Sequence, residues 1–501
     1  MKKLALAAFS ALAFGAFAAP QRLGLLQIAD ADGLVAGVAK LGEMMGNPMV
    51  SSMVAPTIAQ NPVTKLFGPA RAGAGVTAVV FAEGEALEKD PEALLESVWP
   101  VVFYPVTETK AQFLARQSGA IETNGVVTVV SPETVLAWTD DGKWVVASDS
   151  AEHVKTGLAE VSVAQRPLGA DLARVEGFEP ILAKAPVFLD KVIELAEMDA
   201  AEREKTKASV AELRKLMEGI VHVSVATRLS EKGWDFEGTC TCKPGSAGDR
   251  FGSAGSVGPD ALAFAGKDAF IAVAAAARAR LGSLSDLSVF ADVIRKHGLK
   301  LDFITSETAG DVTKVVVDFP AAFAYFTGEE GSAAFEKIDP QAFLKDVDAA
   351  SNLVKTELRE KPESVSVALK GLASDKTPAA RFAAALPEAA SVAPYSVSIV
   401  SYYSFLKELA AQVVKVLPSE LQGQVSPLLK TLPSDEGACC AVCVYRKGAT
   451  HFQLSRITKE ELKGFGALFN VGMGYAMSSM MQGSGVPDDD DDDDDLDDDE
   501  D

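Results

Sequence analysis

Short runs of alternating apolar and polar residues recur along the chain and predict strands joined by tight turns. The clearest pair of strands, 135–138 and 143–148, flanks Asp140-Asp141-Gly142, whose residues favour a hairpin turn. Further strands are predicted at 22–28, 75–81, 98–106, 126–130, 299–304, 312–317 and 363–370.

Apolar residues at three- and four-residue spacing predict helices between these strands. Within 178–219 one such face is formed by Val210, Leu213, Leu216 and Met217, and Ile220 continues it. Other helices are predicted at 33–60 with a break at Gly46-Asn47-Pro48, and at 151–161, 286–296, 339–360, 404–416, 420–429 and 464–480. The fold class is therefore α+β with mainly antiparallel sheets.

Two segments share one order of elements, which suggests an internal duplication. In the first, helices precede a hairpin of strands 221–228 and 234–242 that turns at Lys232-Gly233. In the second, helices precede a hairpin of 438–445 and 449–454 that turns at Lys447-Gly448. Before each hairpin a helix begins at a Phe-Leu pair, at Phe188 and at Phe405. After each hairpin a Phe-Gly pair follows, at Phe251 and at Phe465. We expect two similar helix-helix-hairpin units.

The length of 501 residues accommodates more than one domain. We divide the chain into a signal peptide at 1–18, a first α+β domain at 19–255 and a second at 256–470 that duplicates the first. The remaining residues, 471–501, are assigned to a linker and a disordered acidic tail.

The first eighteen residues have the three parts of a secretory signal peptide. Lys2 and Lys3 provide the positive start, and 4–14 form an apolar segment too short to span a bilayer. Ala16-Phe17-Ala18 is a small-residue cleavage site, with the cut expected after Ala18. This pattern predicts export to the periplasm, the outer envelope or the extracellular space.

An acidic tail carries more than half of the net charge of −23. Thirteen of the fourteen residues from Asp488 to Asp501 are acidic, and their mutual repulsion predicts disorder. The unbroken run from Asp488 to Asp495 is expected to bind calcium only weakly, because an ordered site needs fixed ligands. The remainder is still acidic, which argues against binding nucleic acid.

Five cysteines lie in the two hairpins of the proposed repeat: Cys240, Cys242, Cys439, Cys440 and Cys443. Disulfides are the default expectation in an exported protein, and an odd number leaves one thiol unpaired. Strand alternation places Cys240 and Cys242 on one side, and Cys439 and Cys443 on one side with Cys440 opposite. Two alternatives are a redox Cys440-Ala-Val-Cys443 motif and a zinc site using Cys440, Cys443, Cys240 and Cys242. We expect structural cysteines and no metal.

No catalytic motif accompanies the four histidines, His153, His222, His297 and His451. The chain has no nucleophile elbow, no phosphate-binding loop and no dinucleotide fingerprint. We therefore expect no cofactor and no catalytic site.

The signal peptide, the paired α+β units and the hairpin that ends at Lys243-Pro244-Gly245-Ser246 together resemble uncharacterised secreted bacterial envelope proteins. The resemblance is loose and implies an exported, non-enzymatic protein with a structural or interaction role and an envelope protein partner. Two alternatives stay open. The first is a binding module, either for a divalent cation through the acidic tail or for a small apolar ligand between the α+β units. The second is an extracytoplasmic hydrolase.

Overall fold

The fold is taken from a computed structural model, which describes residues 21–47, 52, 56, 66–68, 70–71, 73–82, 97–117, 119–130, 133–169, 171–179, 190, 193–194, 200–251, 255–280, 287–310, 312–353, 357–372 and 374–483. The predicted signal peptide and the poly-Asp tail lie outside these residues. So do most of residues 180–199, which belong to the segment 178–219 predicted to be mostly helical. The described part of the chain combines helices with a large, mostly antiparallel sheet, so the α+β prediction is confirmed.

The N-terminal half contributes ten described strands to the sheet. They are β1 Gln21–Ile28, β2 Val76–Ala82, β3 Val98–Pro105, β4 Ala120–Thr123, β5 Val126–Val130, β6 Glu133–Trp138, β7 Trp144–Ser148, β8 Ala173–Gly177, β9 Ile220–Leu229 and β10 Gly233–Cys242. Its described helices are α1 Ala31–Met44, α2 Lys110–Arg116, α3 Ala151–Leu158, α4 Val161–Ala164, α5 Ala200–Met217 and α6 Ala247–Phe251.

The C-terminal half contributes seven strands. They are β11 Ala269–Arg280, β12 Ile304–Ala309, β13 Val312–Asp318, β14 Glu357–Lys370, β15 Pro394–Val400, β16 Cys440–Lys447 and β17 Thr450–Thr458. Its described helices are α7 Leu287–Lys296, α8 Phe319–Thr327, α9 Glu329–Phe335, α10 Pro340–Leu353, α11 Pro378–Ala385, α12 Tyr402–Val416, α13 Ser419–Lys430 and α14 Lys459–Gly483, with 3-10 turns at Pro259–Ala265 and Pro387–Ser391.

All seventeen described strands pair into one continuous sheet. The hydrogen-bonded order is β4-β5-β6-β7-β3-β2-β1-β8-β9-β10-β17-β16-β15-β11-β14-β13-β12. Every pair is antiparallel except β13 with β14. The two halves of the chain meet at β10 and β17, whose register runs from Gly233 opposite Thr458 to Thr241 opposite Thr450. The sheet therefore crosses the domain boundary predicted at 255/256.

Several predicted bounds change in the structure. The strand predicted at 299–304 instead begins at Ile304, because Gly310 in the left-handed conformation turns a hairpin that pairs Ile304 with Val317. The helix predicted at 339–360 ends at Leu353, and β14 begins at Glu357, earlier than the predicted 363. Helix α14 continues to Gly483, so the first part of the predicted linker 471–501 is helical.

Strand β11 lies at the centre of the C-terminal half although its sequence is rich in alanine. Ala272, Ala274 and Ala276 are buried at alternate positions, and the strand pairs with both β14 and β15. The alternating buried positions of this strand are alanines. Because alanine favours helix, the sequence pattern does not predict a core strand here.

The two faces of the sheet differ where β10 meets β17. On one face, Cys439, Ala441 and Cys443 belong to the apolar core beneath α11. The same face contains a buried ion pair in which Arg456 Nε donates to Asp235. The opposite face is covered by the end of α5 and by α6, and it contains the cavity described next.

Candidate functional site

A cavity of about 400 Å³ lies on the α5 and α6 side of the β10–β17 pair, where the two halves of the chain meet. Its volume falls within the range of about 300–1,000 Å³ typical of small-ligand sites. Most of its wall is apolar, with a few polar groups, and it is formed by Leu216, Ile220, Val223, Ser224, Val225, Gly238, Thr239, Cys240, Cys242, Gly248, Tyr395, Val444, His451, Phe452 and Gln453. We refer to it as the central cavity.

Gly238 leaves room in the central cavity because it has no side chain on the middle strand. A Cβ atom added there would lie 3.6 Å from Gln453 Cβ and 3.9 Å from the Ser224 carbonyl oxygen, which are ordinary contacts. Its φ lies outside the left-handed range, so the backbone does not require glycine. Glycine weakens a strand interior and often marks a place where a ligand approaches the backbone.

The register defines a mouth and an inner end. Gly238 pairs with Val225 on one side and Gln453 on the other, and both of these side chains are exposed. Two residues further along β10, Cys240 pairs with Val223 and His451. The inner end is closed by Cys242, His451 and Tyr395, which are all buried.

A pair of thiols stands at the inner end. The neighbouring Cys242 thiol lowers the pKa of Cys240 below its ordinary value. The proximity of Cys240, together with burial, raises the pKa of Cys242. The β9–β10 register shifts opposite this pair, because Val221 is an extra residue on β9 between the partners of Thr241 and Cys242.

His451 and Tyr395 supply the neighbouring polar atoms. The Tyr395 hydroxyl and His451 Nδ1 are 3.1 Å apart, and the two rings meet edge to face. Burial, with a contribution from the charge of Arg446, lowers the pKa of His451, so the imidazole is neutral at pH 7. Burial raises the pKa of Tyr395 to about 12. Nε2 of His451 has no hydrogen-bond partner although the residue is only 9% exposed.

An ion pair fixes α6 over the inner end. Arg446 on β16 donates to Asp249, whose other carboxylate oxygen accepts from the Gly245 backbone at 2.7 Å. A Cβ atom on Gly248 would lie 2.9 Å from Cys242 Sγ, so glycine allows α6 to approach the strand closely. Arg446, whose charge acts on both His451 and Tyr395, is therefore paired with a carboxylate.

The structure holds all five cysteines as free thiols. Cys439 and Cys443 share the core face as predicted, whereas Cys440 is half-buried on the other. Burial raises the pKa of Cys439 to about 12 and those of Cys440 and Cys443 to about 11. These three thiols stay protonated at pH 7.

The predicted alternatives for the cysteines receive no support from their placement. Cys440 and Cys443 lie within a strand, not at a helix N-terminus where the dipole would activate a thiol. Cys440 pairs with Ile457, six residues along β17 from His451, the partner of Cys240. That spacing separates Cys440 from Cys240 by ~20 Å along the strands. Among the described residues no group of three or more side chains is arranged to hold a metal ion.

The other histidines have ordinary partners. His153 stacks on Trp99, His222 faces Glu179 at 3.1 Å, and His297 contacts Asp346 at 2.7 Å. No sequence pattern distinguishes His451 from the other histidines. Only the pairing of β10 with β17, more than 200 residues apart in sequence, brings it beside Cys240.

Within the described part of the chain, no helix has the length and apolar character needed to cross a bilayer. Comparison with protein-family models, with curated proteins and with solved structures gives no match to this chain.

Proposed function

We propose that this chain is an exported, non-enzymatic envelope protein that binds a small apolar molecule in the central cavity. The supporting observation is the cavity itself, which has a mostly apolar wall and a few polar atoms gathered at its inner end. That combination is the usual composition of small-molecule sites.

The polar atoms indicate the chemistry of the ligand. The imidazole of His451 and the hydroxyl of Tyr395 are neutral, and Arg446 is paired with Asp249. An ionised ligand would lose its hydration without gaining a countercharge, which is costly. We infer an uncharged ligand with an apolar body beside Val225 and one polar group that bonds to His451 Nε2.

Internal duplication explains why the cavity lies at the middle of the sheet. The order β1-β8-β9-β10 has the same antiparallel arrangement as β11-β15-β16-β17. We propose that these two sets are copies, related by an approximate two-fold axis at the pairing of β10 with β17. Superposition of residues near 178–255 on those near 395–470 tests this, and a different handedness in the two segments would reject it.

The binding proposal is tested with an uncharged fluorescent probe, N-phenyl-1-naphthylamine, titrated into the protein lacking residues 1–18. Gly238→Leu should weaken probe binding at least tenfold, because the new side chain occupies the cavity. Gly238→Ala is the matched control: it also replaces the strand glycine but adds only one methyl group, so binding should change little. Equal binding to the wild type and to Gly238→Leu, with both proteins folded, would reject the proposal.

A further inference from the structure

We propose that strand β12 pairs with β12 of a second copy of this chain, which forms a dimer with its two-fold axis at Ser306. The bonds between the copies are the backbone hydrogen bonds of an antiparallel sheet. β12 ends the hydrogen-bonded order of the sheet, whereas the central cavity lies at its middle. The inference therefore does not depend on the proposed ligand.

The outer edge of β12 is open and unprotected. Among the described strands β13 is its only partner, and every residue from Thr305 to Ala309 is exposed. Soluble proteins usually guard such an edge with a lysine, a proline or a bulge. β12 contains neither lysine nor proline, and its register with β13 is continuous from Ile304 to Ala309. A regular, exposed edge of this kind is a template for another strand.

The hydrogen bonds of the β12–β13 hairpin show which backbone groups lie at the open edge. The Asp318 N–H donates to the Phe303 carbonyl at 2.8 Å, so these two residues form a hydrogen-bonded pair. Bonded and non-bonded pairs alternate in an antiparallel ladder, so the odd-numbered residues of β12 bond to β13 and the even-numbered residues face away. The outward-facing residues are Ile304, Ser306 and Thr308.

These outward groups fit those of an identical strand. The Ile304 N–H donates to the Leu301 carbonyl at 2.9 Å. The N–H groups of Ser306 and Thr308 have no backbone partner within the described residues. In an antiparallel pair centred on Ser306, the two Ser306 residues exchange N–H to carbonyl bonds, and each Thr308 N–H reaches an Ile304 carbonyl. One register therefore satisfies both of the unpartnered donors.

The side chains of β12 select this register. It places the neutral Thr305 opposite Glu307, so no like charges face each other directly. The neighbouring register, centred on Glu307, would place two carboxylates opposite each other, which is destabilising. Within one chain Glu307 lies across from Lys314, whose charge offsets that of the carboxylate. The strand is therefore compatible with its own copy in the register centred on Ser306.

An exposed ring extends the contact at each end of the paired strands. Phe326 is 43% exposed and packs against Phe303, which directly precedes β12. The register places Ala309 of the second copy opposite Phe303, so its methyl group adds apolar contact there.

The opposite end of the sheet does not offer the same edge. Strand β4 has only four residues, and its Glu122 pairs with Lys110. Two-fold pairing through β12 alone closes at a dimer, whereas pairing of β12 with β4 would continue into a polymer. We therefore expect dimers and no larger assembly.

The test is disulfide trapping between two cysteine variants of the protein lacking residues 1–18. In this register, residues 305 and 307 of different copies form a non-bonded pair with Cα atoms about 4.5 Å apart, which a disulfide can bridge. A mixture of Thr305→Cys and Glu307→Cys should form a dimer under mild oxidation, with a bridge between these two positions in peptide mapping. Each variant alone is the matched control and should form at least tenfold less. A bridge as abundant in one variant alone, or no bridge in the mixture, would overturn the proposal.

A second measurement is sedimentation velocity over a range of protein concentrations. The wild type should shift from monomer to dimer as its concentration rises. Ser306→Pro should weaken dimerisation at least tenfold, because proline lacks the outward N–H, whereas Ser306→Ala keeps it and should match the wild type. A wild type that is monomeric at every concentration, larger polymers, or an undiminished dimer in Ser306→Pro would contradict the proposal. None of these results would alter probe binding to Gly238 variants, so the two proposals fail separately.

Discussion

A buried carboxyl group, Glu461, should make the protein less stable as the pH rises towards neutrality. Glu461 is 0% exposed at the start of α14, and one oxygen accepts from the Tyr403 backbone at 2.8 Å. It thereby caps α12, whose N-cap residue Ser401 provides no side-chain bond. Its second oxygen has no partner. Burial outweighs the backbone bonds and raises the pKa of Glu461 from 4.5 to about 7, with a further contribution from the charge of Asp435.

The sign and size of this pH effect on the free energy of unfolding follow from proton linkage. Between pH 4.5 and 7 the folded chain keeps a proton on Glu461 that the unfolded chain has released. The free energy of unfolding therefore falls by about 1.4 kcal/mol per pH unit in this window and is constant above it. The pKa of Glu461 differs between the folded chain, about 7, and the ordinary value of 4.5. Over the whole window this difference lowers the free energy of unfolding by about 3 kcal/mol.

Glu461→Gln should remove this dependence while keeping the bond to Tyr403. Urea unfolding followed by tryptophan fluorescence from pH 4.5 to 8.5 measures it. The variant should match the wild type at pH 4.5 and exceed its stability by up to about 3 kcal/mol at pH 8. Glu460→Gln, an exposed neighbour, is the control and should follow the wild type. Identical pH slopes in Glu461→Gln and wild type, or a loss of stability at pH 8, would refute the reasoning.

Three further predictions concern other parts of the chain. Asp235→Ala should cost about 3 kcal/mol of stability, measured in urea, because the buried Arg456 then keeps only the half-exposed Glu388, 3.4 Å away, as a countercharge. Glu436→Ala, which breaks an exposed pair with Lys376, should cost less than about 1 kcal/mol, and similar losses would contradict the account. Deleting residues 486–501 should leave the melting temperature unchanged and lower solubility, with only weak calcium binding lost; a large drop in melting temperature would show that the tail belongs to the fold. The exported protein should begin at Ala19, and an intact mass that retains residues 1–18 would reject the predicted cleavage.

Turn residues and the alternation of apolar and polar positions predict much of the fold. Both hairpins of the proposed repeat were located from their Lys-Gly turns, and Gly448 has the positive φ that such a turn uses. The Asp140-Asp141-Gly142 turn was likewise correct, with Asp141 accepting from the Lys143 backbone at 3.0 Å. Turn residues and alternation act over a few residues, so one sequence is enough to recognise them.

The central cavity could not be predicted in the same way. It depends on the pairing of β10 with β17, which no local pattern encodes, and on the absence of a side chain at Gly238. The glycine within an otherwise regular strand was the one local signal. The cysteines were recognised, but their roles depend on partners such as His451 that are distant in sequence.

The most direct test of the central claim is whether an apolar ligand shields the inner end of the cavity. Alkylation of Cys240 by iodoacetamide should be measured by mass spectrometry with and without saturating N-phenyl-1-naphthylamine, with Cys440 as the internal reference. The account predicts that the bound probe slows alkylation of Cys240 at least fivefold and leaves Cys440 unchanged. A probe that binds with full fluorescence yet leaves the Cys240 rate unchanged would place the ligand elsewhere and contradict the account.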